Sequence, residues 1–348
     1  MVAKAHFWPI VLTMNLIGSL ALAQAPGAGN KPPPPTPPPV PAAETPPPAT
    51  AVAAVVNGQS IPELSVFRGL LRVKPQLRDQ ARPDVLNFLI DNVVVDQYLT
   101  QLKIRVEPKE VDDHIQRIKD EAKKAGQDYP EMLKKLHLTE EELRRELLAA
   151  VRWDKFVIQQ GTDKVLRDLF ERNVDMFNGA KVQARHILLA VADGKKATAE
   201  ARAAAIKKQI ETQVTQEVDA LPKGTEKIAV EKVRAKAIET AFAAAASKDS
   251  ICPSKSQGGD LGYFRRSGDM VEPFSRAAFA LKPYQMSDPV ATEFGVHLIL
   301  SVDYRPGKEV KFEEVRPFVQ EVYAERLREA ILTNYKAKSK IEIREKKG

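Results

Sequence analysis

Cysteine is almost missing: Cys252 is the only one in the 348-residue chain. No intramolecular disulfide can form, and no thiolate cluster can build a structural zinc site. Aromatic residues are scarce as well, at 6%. Apolar burial must therefore come mainly from Leu, Val, Ile and Ala, which favours helices. No glycine-rich phosphate loop and no short His/Cys/Asp/Glu ligand spacing occurs, so the residues imply neither a cofactor nor a metal.

What is present suits globular protein: 43% hydrophobic and 28% charged residues, in a chain long enough for two modest domains. The net charge is +7. Lys and Arg are interleaved with Glu, as in Lys134-Lys135 and Arg144-Arg145 around the glutamates at 140–142. That is a solvated helix face rather than a groove-binding stripe, so no nucleic-acid partner is expected. At the start, Lys4 precedes an apolar run over 7–23 that ends in Ala21-Leu22-Ala23, a small-x-small cleavage pattern. The expectation is a signal peptide over 1–23 and a periplasmic or secreted protein. An uncleaved anchor, with membrane proximity, is the alternative. Residues 24–50 form a Pro-rich linker, including Pro32 to Pro35 and Pro37 to Pro39. Such a tract reads as disordered polyproline II, a spacer or a docking site for a Pro-binding module.

Order is expected from Ala51. Asn57-Gly58 suits the tight turn of a small hairpin over 55–61. Helical spacing follows in Leu86, Leu89, Ile90 and Val93, then in Val111, Ile115 and Ile118. Thr139 and Glu142 form a capping-box pattern ahead of Leu143, Leu147 and Val151. The rhythm changes at Lys181. Strands are expected at 182–191, 260–264, 289–292 and 296–302, with a short helix at 273–281. Two Ala/Lys/Glu-rich helices fill 197–220 and 226–247. A long helix returns over 313–336.

His186 and His297 each sit inside an apolar strand, where a histidine is ordinarily a core residue with a satisfied hydrogen bond. If the two strands pair, the imidazoles come close enough to fix one another's tautomer. Cys252 precedes Pro253 in a Gly/Ser-rich loop over 250–259. As a nucleophile it would need a base and an orienting group. As a zinc ligand with the two histidines it would make a set of only three. Leu261, Met270 and Phe274 read as ordinary core or as a pocket.

Four segments, Ala184-Arg185-His186-Ile187-Leu188, Gly258-Gly259-Asp260-Leu261-Gly262-Tyr263-Phe264, Met270-Val271-Glu272-Pro273-Phe274 and Phe294-Gly295-Val296-His297-Leu298-Ile299, resemble the parvulin family of peptidyl-prolyl isomerases. The resemblance implies a parvulin domain over 179–304, a small antiparallel four-stranded sheet surrounded by helices. Its insertion at about 195–246 is longer than the family's. By the same resemblance, His186 and His297 lie beneath the active site in an orienting role, and Thr292 helps orient the second. Cys252 faces the substrate amide. Leu261, Met270 and Phe274 hold the proline ring, with Phe264 as a neighbouring wall. No cofactor is implied.

The flanks resemble the SurA and PrsA-like exported chaperones. That implies an α+β chain in which a helical domain over 51–178 is completed by a C-terminal helix within 305–348 that packs on it. The implied activity is isomerisation of X–Pro bonds without a covalent intermediate, in a folding chaperone for exported proteins. An ATP-independent holding chaperone with an inactive parvulin domain is the alternative. The expected partners are unfolded or nascent exported polypeptides containing X–Pro bonds. The oligomeric state has no signal in the residues.

Overall fold

The computed structural model describes residues 45–192 and 195–344. The signal segment expected over 1–23 and most of the Pro-rich tract lie outside the described residues. Contacts divide the chain into two compact units, Met1–Val165 with Glu321–Gly348, and Leu166–Gln320.

The first unit opens with a hairpin, β1 (Val52–Val56) and β2 (Gln59–Pro62). Asn57 and Gly58 take φ of 49° and 88°, the paired positive angles of a two-residue turn that follows strand twist. Helices α1 (Glu63–Leu70), α2 (Arg78–Gln101), α3 (Pro108–Lys124), α4 (Tyr129–Lys135) and α5 (Glu140–Gln160) follow. Leu86, Ile90 and Val94 of α2 pack on Val56, Ile61 and Val66, while Val95 and Leu99 pack on Trp153, Phe156, Ala324 and Ile331. Each such fully buried aliphatic side chain contributes roughly 1.5–3 kcal/mol. The capping box of α5 is formed: Thr139 Oγ1 accepts from Glu142 N at 3.1 Å, and Glu142 Oε2 accepts from Thr139 N at 2.9 Å.

The second unit begins with α6 (Asp163–Arg172), most of which belongs to it. Next come β3 (Lys181–Leu189), α7 (Lys196–Asp219), α8 (Lys227–Asp249), β4 (Asp260–Arg265), α9 (Glu272–Ala280), β5 (Val290–Thr292) and β6 (Gly295–Arg305). The four strands form an antiparallel sheet in the order β4-β3-β6-β5. Side chains alternate across it. Ile187 and Leu189 of β3, with Val296, Leu298 and Leu300 of β6, pack against α7 and α8. Val182 and Ala184, with Ile299, pack on the opposite face against Phe264, Phe274 and Ala278. The long inserted helices therefore supply one whole face of the core, through residues such as Ala203, Ile206, Ile238 and Phe242.

The long helix α10 (Phe312–Tyr335) ends the helical series, and β7 (Ile341–Ile343) pairs with β1 in a sheet ordered β2-β1-β7. The division between units differs from the one expected at 178/179 and 304/305. Phe170 packs on Phe177 and Phe312, and Phe177 on Phe318, with ring centroids 5.4–5.9 Å apart. These ring contacts hold 166–178 and 305–320 to each other, and Tyr304 of β6 donates its hydroxyl to Asp175 at 2.9 Å. Ala324 and Ile331 of α10 pack in the helical unit's core.

Candidate active site

β3 and β6 pair so that His186 faces Ile299 and Leu188 faces His297. The two histidines are thus diagonal neighbours on one face of the sheet, within reach across adjacent strands. Their Nδ1 atoms lie 3.1 Å apart. The rings stack at 21° with centroids 5.4 Å apart. His297 Nε2 lies 2.8 Å from Thr292 Oγ1, which also accepts from Phe294 N at 3.1 Å. His186 Nε2 is buried without a partner. An orphaned N–H is costlier to bury than an orphaned lone pair that needs no proton placed there. The network therefore assigns the His186 proton to Nδ1, donating to His297 Nδ1, and the His297 proton to Nε2, donating to Thr292. Burial lowers both imidazoles to about 4, with the neighbouring His186 a further cause for His297. Both rings are neutral at pH 7, the state in which a single shared proton can bridge the two Nδ1 atoms.

Phe274 lies edge-on to both imidazoles, at 5.7 Å from His186 and 5.2 Å from His297. Its other neighbour is Phe264, at 5.8 Å. Both phenylalanines are buried at 2% exposure, whereas Leu261 and Met270 pack on the same cluster while partly exposed. An approaching apolar ring would meet Leu261 and Met270 first, with Phe274 beneath. Two carboxylates hold the segment that carries Met270. Asp269 accepts from Arg265 N and Nη2 at 2.8 and 2.6 Å. Glu272 makes a two-pronged pair with the buried Arg266 at 2.6 and 2.8 Å. Arg266 is a further residue of this region, absent from the candidates above. Its only sequence signal is a spacing of six residues to Glu272, across a turn rather than along a helix.

Cys252 is half-buried. It caps the short turn Pro253–Gln257. Ser250 Oγ accepts from Leu188 N and Cys252 N at 3.1 and 3.2 Å, and Ile251 N donates to Leu188 O at 2.9 Å. The loop is thus laid along β3 beside the histidine pair. Among the described residues, the Cys252 thiol makes no hydrogen bond to either imidazole, so neither ring is placed to take its proton. Nor do the described residues group three His, Cys, Asp or Glu side chains as metal ligands. Gly259 shows why glycine stands in this loop: at φ 79°, a Cβ would lie 2.3 Å from His186 O. A hollow of about 460 Å³ opens beside Thr292, between Val191, Lys196 and Phe294. Of the histidine pair, Thr292, Cys252, Leu261, Phe264, Met270 and Phe274, only Thr292 lines it.

The antiparallel four-stranded sheet is the one that the resemblance to parvulins implies. Comparison with known proteins agrees: residues 186–303 match the PPIC-type PPIASE domain, and residues 44–157 match the SurA-like N-terminal domain. The chain thus carries, in separate segments, a match to each of these two domain families. Over 158 residues it is 32% identical to "Putative peptidyl-prolyl cis-trans isomerase Cbf2" of Campylobacter jejuni, covering 44% of this chain and 47% of that protein. Over 240 residues it is 29% identical to "Foldase protein PrsA 2" of Bacillus anthracis, covering 68% of this chain and 67% of that protein. A solved peptidylprolyl isomerase (PrsA) from Bacillus anthracis is 24% identical, covers 75% of this chain and 99% of its own, and has a TM-score of 0.38. The chain spans about half the length of the Campylobacter relative.

Proposed function

We propose that the chain is a peptidyl-prolyl cis-trans isomerase that acts on unfolded exported polypeptides, with His186, His297 and Thr292 as the orienting network. In this reading Cys252 faces the substrate amide, and Leu261, Met270 and Phe274 receive the proline ring against Phe264. The observation that carries the reading is the pair of buried neutral imidazoles packed under Phe274, with Leu261 and Met270 on the same cluster.

The reaction makes and breaks no bond. Rotation about a peptide C–N bond is opposed by roughly 18–20 kcal/mol of resonance. Lowering that barrier requires a surface that binds the twisted amide better than either planar form. An apolar face fixes the ring while the chain on the other side of the bond turns. Desolvation there weakens the charge-separated resonance form of the amide. The neutral imidazoles keep that face free of a buried charge and hold Thr292 and β5 in place. A half-buried thiol can follow the carbonyl as it rotates. The SurA-like helices would hold the rest of the client, and export follows from the apolar leader expected over 1–23.

The test follows cis–trans exchange in an X–Pro peptide. Met270→Ala is expected to lower kcat/KM by about tenfold, because it strips partly exposed apolar area from the ring's seat. Cys252→Ala is expected to lower it by less. Exchange at the uncatalysed rate with the parent protein would sink the enzyme reading. The holding reading has its own support in the exposed Leu71, Leu102 and Ile158 of the helical unit. Under it, Met270→Ala protein still suppresses aggregation of an unfolded client as well as the parent does.

A further inference from the structure

We propose that Arg185 is the positioning residue for the loop that carries Cys252, and that the inserted helix α8 is its anchor; the catalytic consequence rests on the isomerase reading above. Arg185 precedes His186 on β3, and its side chain serves the loop rather than the sheet. On one edge of the guanidinium, Nε and Nη2 donate to Glu239 Oε1 of α8 at 3.3 and 3.1 Å. On the other, Nη1 donates to Gln257 O at 3.0 Å and to Gly258 O at 3.3 Å. Asp260 adds a second carboxylate at 3.8 Å. The side chain is only 18% exposed.

Those carbonyls stand at the far end of the turn Pro253–Gln257 that Cys252 caps. Turn-end carbonyls have no partner within the turn and need an outside donor. A planar fork with fixed donor directions can serve a carboxylate and two carbonyls together, which a lysine's single ammonium cannot. The loop is packed as well as bonded here: a Cβ at Gly258 would sit 2.6 Å from Ala243 Cβ of α8 and 3.2 Å from Arg185 Nη1. Ser250 pins the other end of the loop to Leu188. Arg185 is the second pin, and it reaches its setting only because Glu239 holds its other edge. The long insertion thereby acquires a task at the site: it carries the carboxylate that aims the arginine.

Cys252 is the sole thiol, so its alkylation rate in the full chain reports on this loop alone, without reference to turnover. With a small neutral maleimide as the probe, Arg185→Lys is expected to label about tenfold faster than the parent and to lose about tenfold in kcat/KM for an X–Pro peptide, since the charge-assisted fork onto Glu239 Oε1 is lost. Glu239→Gln is expected to move both readouts in the same direction by a smaller factor, because its amide oxygen still accepts. A folded Arg185→Lys protein that labels at the parent rate overturns the proposal. Should that variant fail to fold, a Glu239→Gln protein labelling at the parent rate overturns it instead. Faster labelling in the variants, with no catalysis by the parent, would leave the loop clamp standing and remove only the isomerase reading.

Discussion

The two units differ in how deeply they bury polar groups. Among the described residues, every buried polar or charged one, His186, Ser250, Arg266, Ser275, Ser287, His297 and Ser301, belongs to the sheet unit. The helical unit has no fully buried charged residue among those described, and its ion pairs run from largely covered, as in Arg82–Glu63 with side chains 20% and 14% exposed, to solvated, as in Arg145–Glu141 at 67% and 81%. Buried polar groups stabilise one specific arrangement only when nearly all of them are satisfied, and they cluster where a site needs a fixed geometry. Exposed pairs mainly keep a helix soluble and in register. The contrast separates a unit built to hold a few side chains rigidly from one built as an amphipathic frame.

The sharpest way to break this comparison is Gly259→Ala. A Cβ there would lie 2.3 Å from His186 O and 3.1 Å from Ala246 Cβ, on a residue already at positive φ. The expected loss is about 3 kcal/mol or more from the sheet unit, read by thermal unfolding. A neutral outcome would mean that the loop is not locked to β3.

Acidification comes next. Unfolded imidazoles take up protons as pH falls through about 6.5, whereas the folded pair stays neutral to about 4. The unfolded state therefore binds more protons between those values, and stability drops as pH is lowered through that window. Each ring contributes of order 3 kcal/mol to that loss, measured by denaturant titration across pH. His297→Gln, which cannot charge, should flatten that dependence.

Smaller effects are expected in the helical unit. Thr139→Ala removes the acceptor for Glu142 N and should cost about 1 kcal/mol by denaturant unfolding. Arg145→Ala should change stability by about 0.5 kcal/mol or less, since its ion pair is solvated. A larger effect at Arg145 than at Thr139 would erase the distinction drawn between the units.

Much of the frame was readable from residue order. The turn at Asn57-Gly58, the stripe Leu86–Ile90 and the Thr139 cap are local signals, set by backbone preference and spacing within a few residues. α1 and β7 were not anticipated. β7 is three residues long, and its strand character comes from pairing with β1, more than 280 residues earlier in the chain, where Lys340 N donates to Asn57 Oδ1. Of the candidate site, the residue types in strands and loops were visible, including both histidines.

The residues alone determined which segments become strands or helices and which face of each is apolar, because those are matters of period and local sterics. They also supplied two imidazoles in apolar strands and a lone thiol in a glycine-bearing loop. Only the tertiary structure decided that β3 and β6 pair with a diagonal offset that joins His186 to His297 over 111 positions, that Arg266 closes on Glu272, and that Arg185 reaches from β3 to both Glu239 and the loop. Register and long-range hydrogen bonds depend on how whole faces bury against one another, and no short window of sequence contains that information.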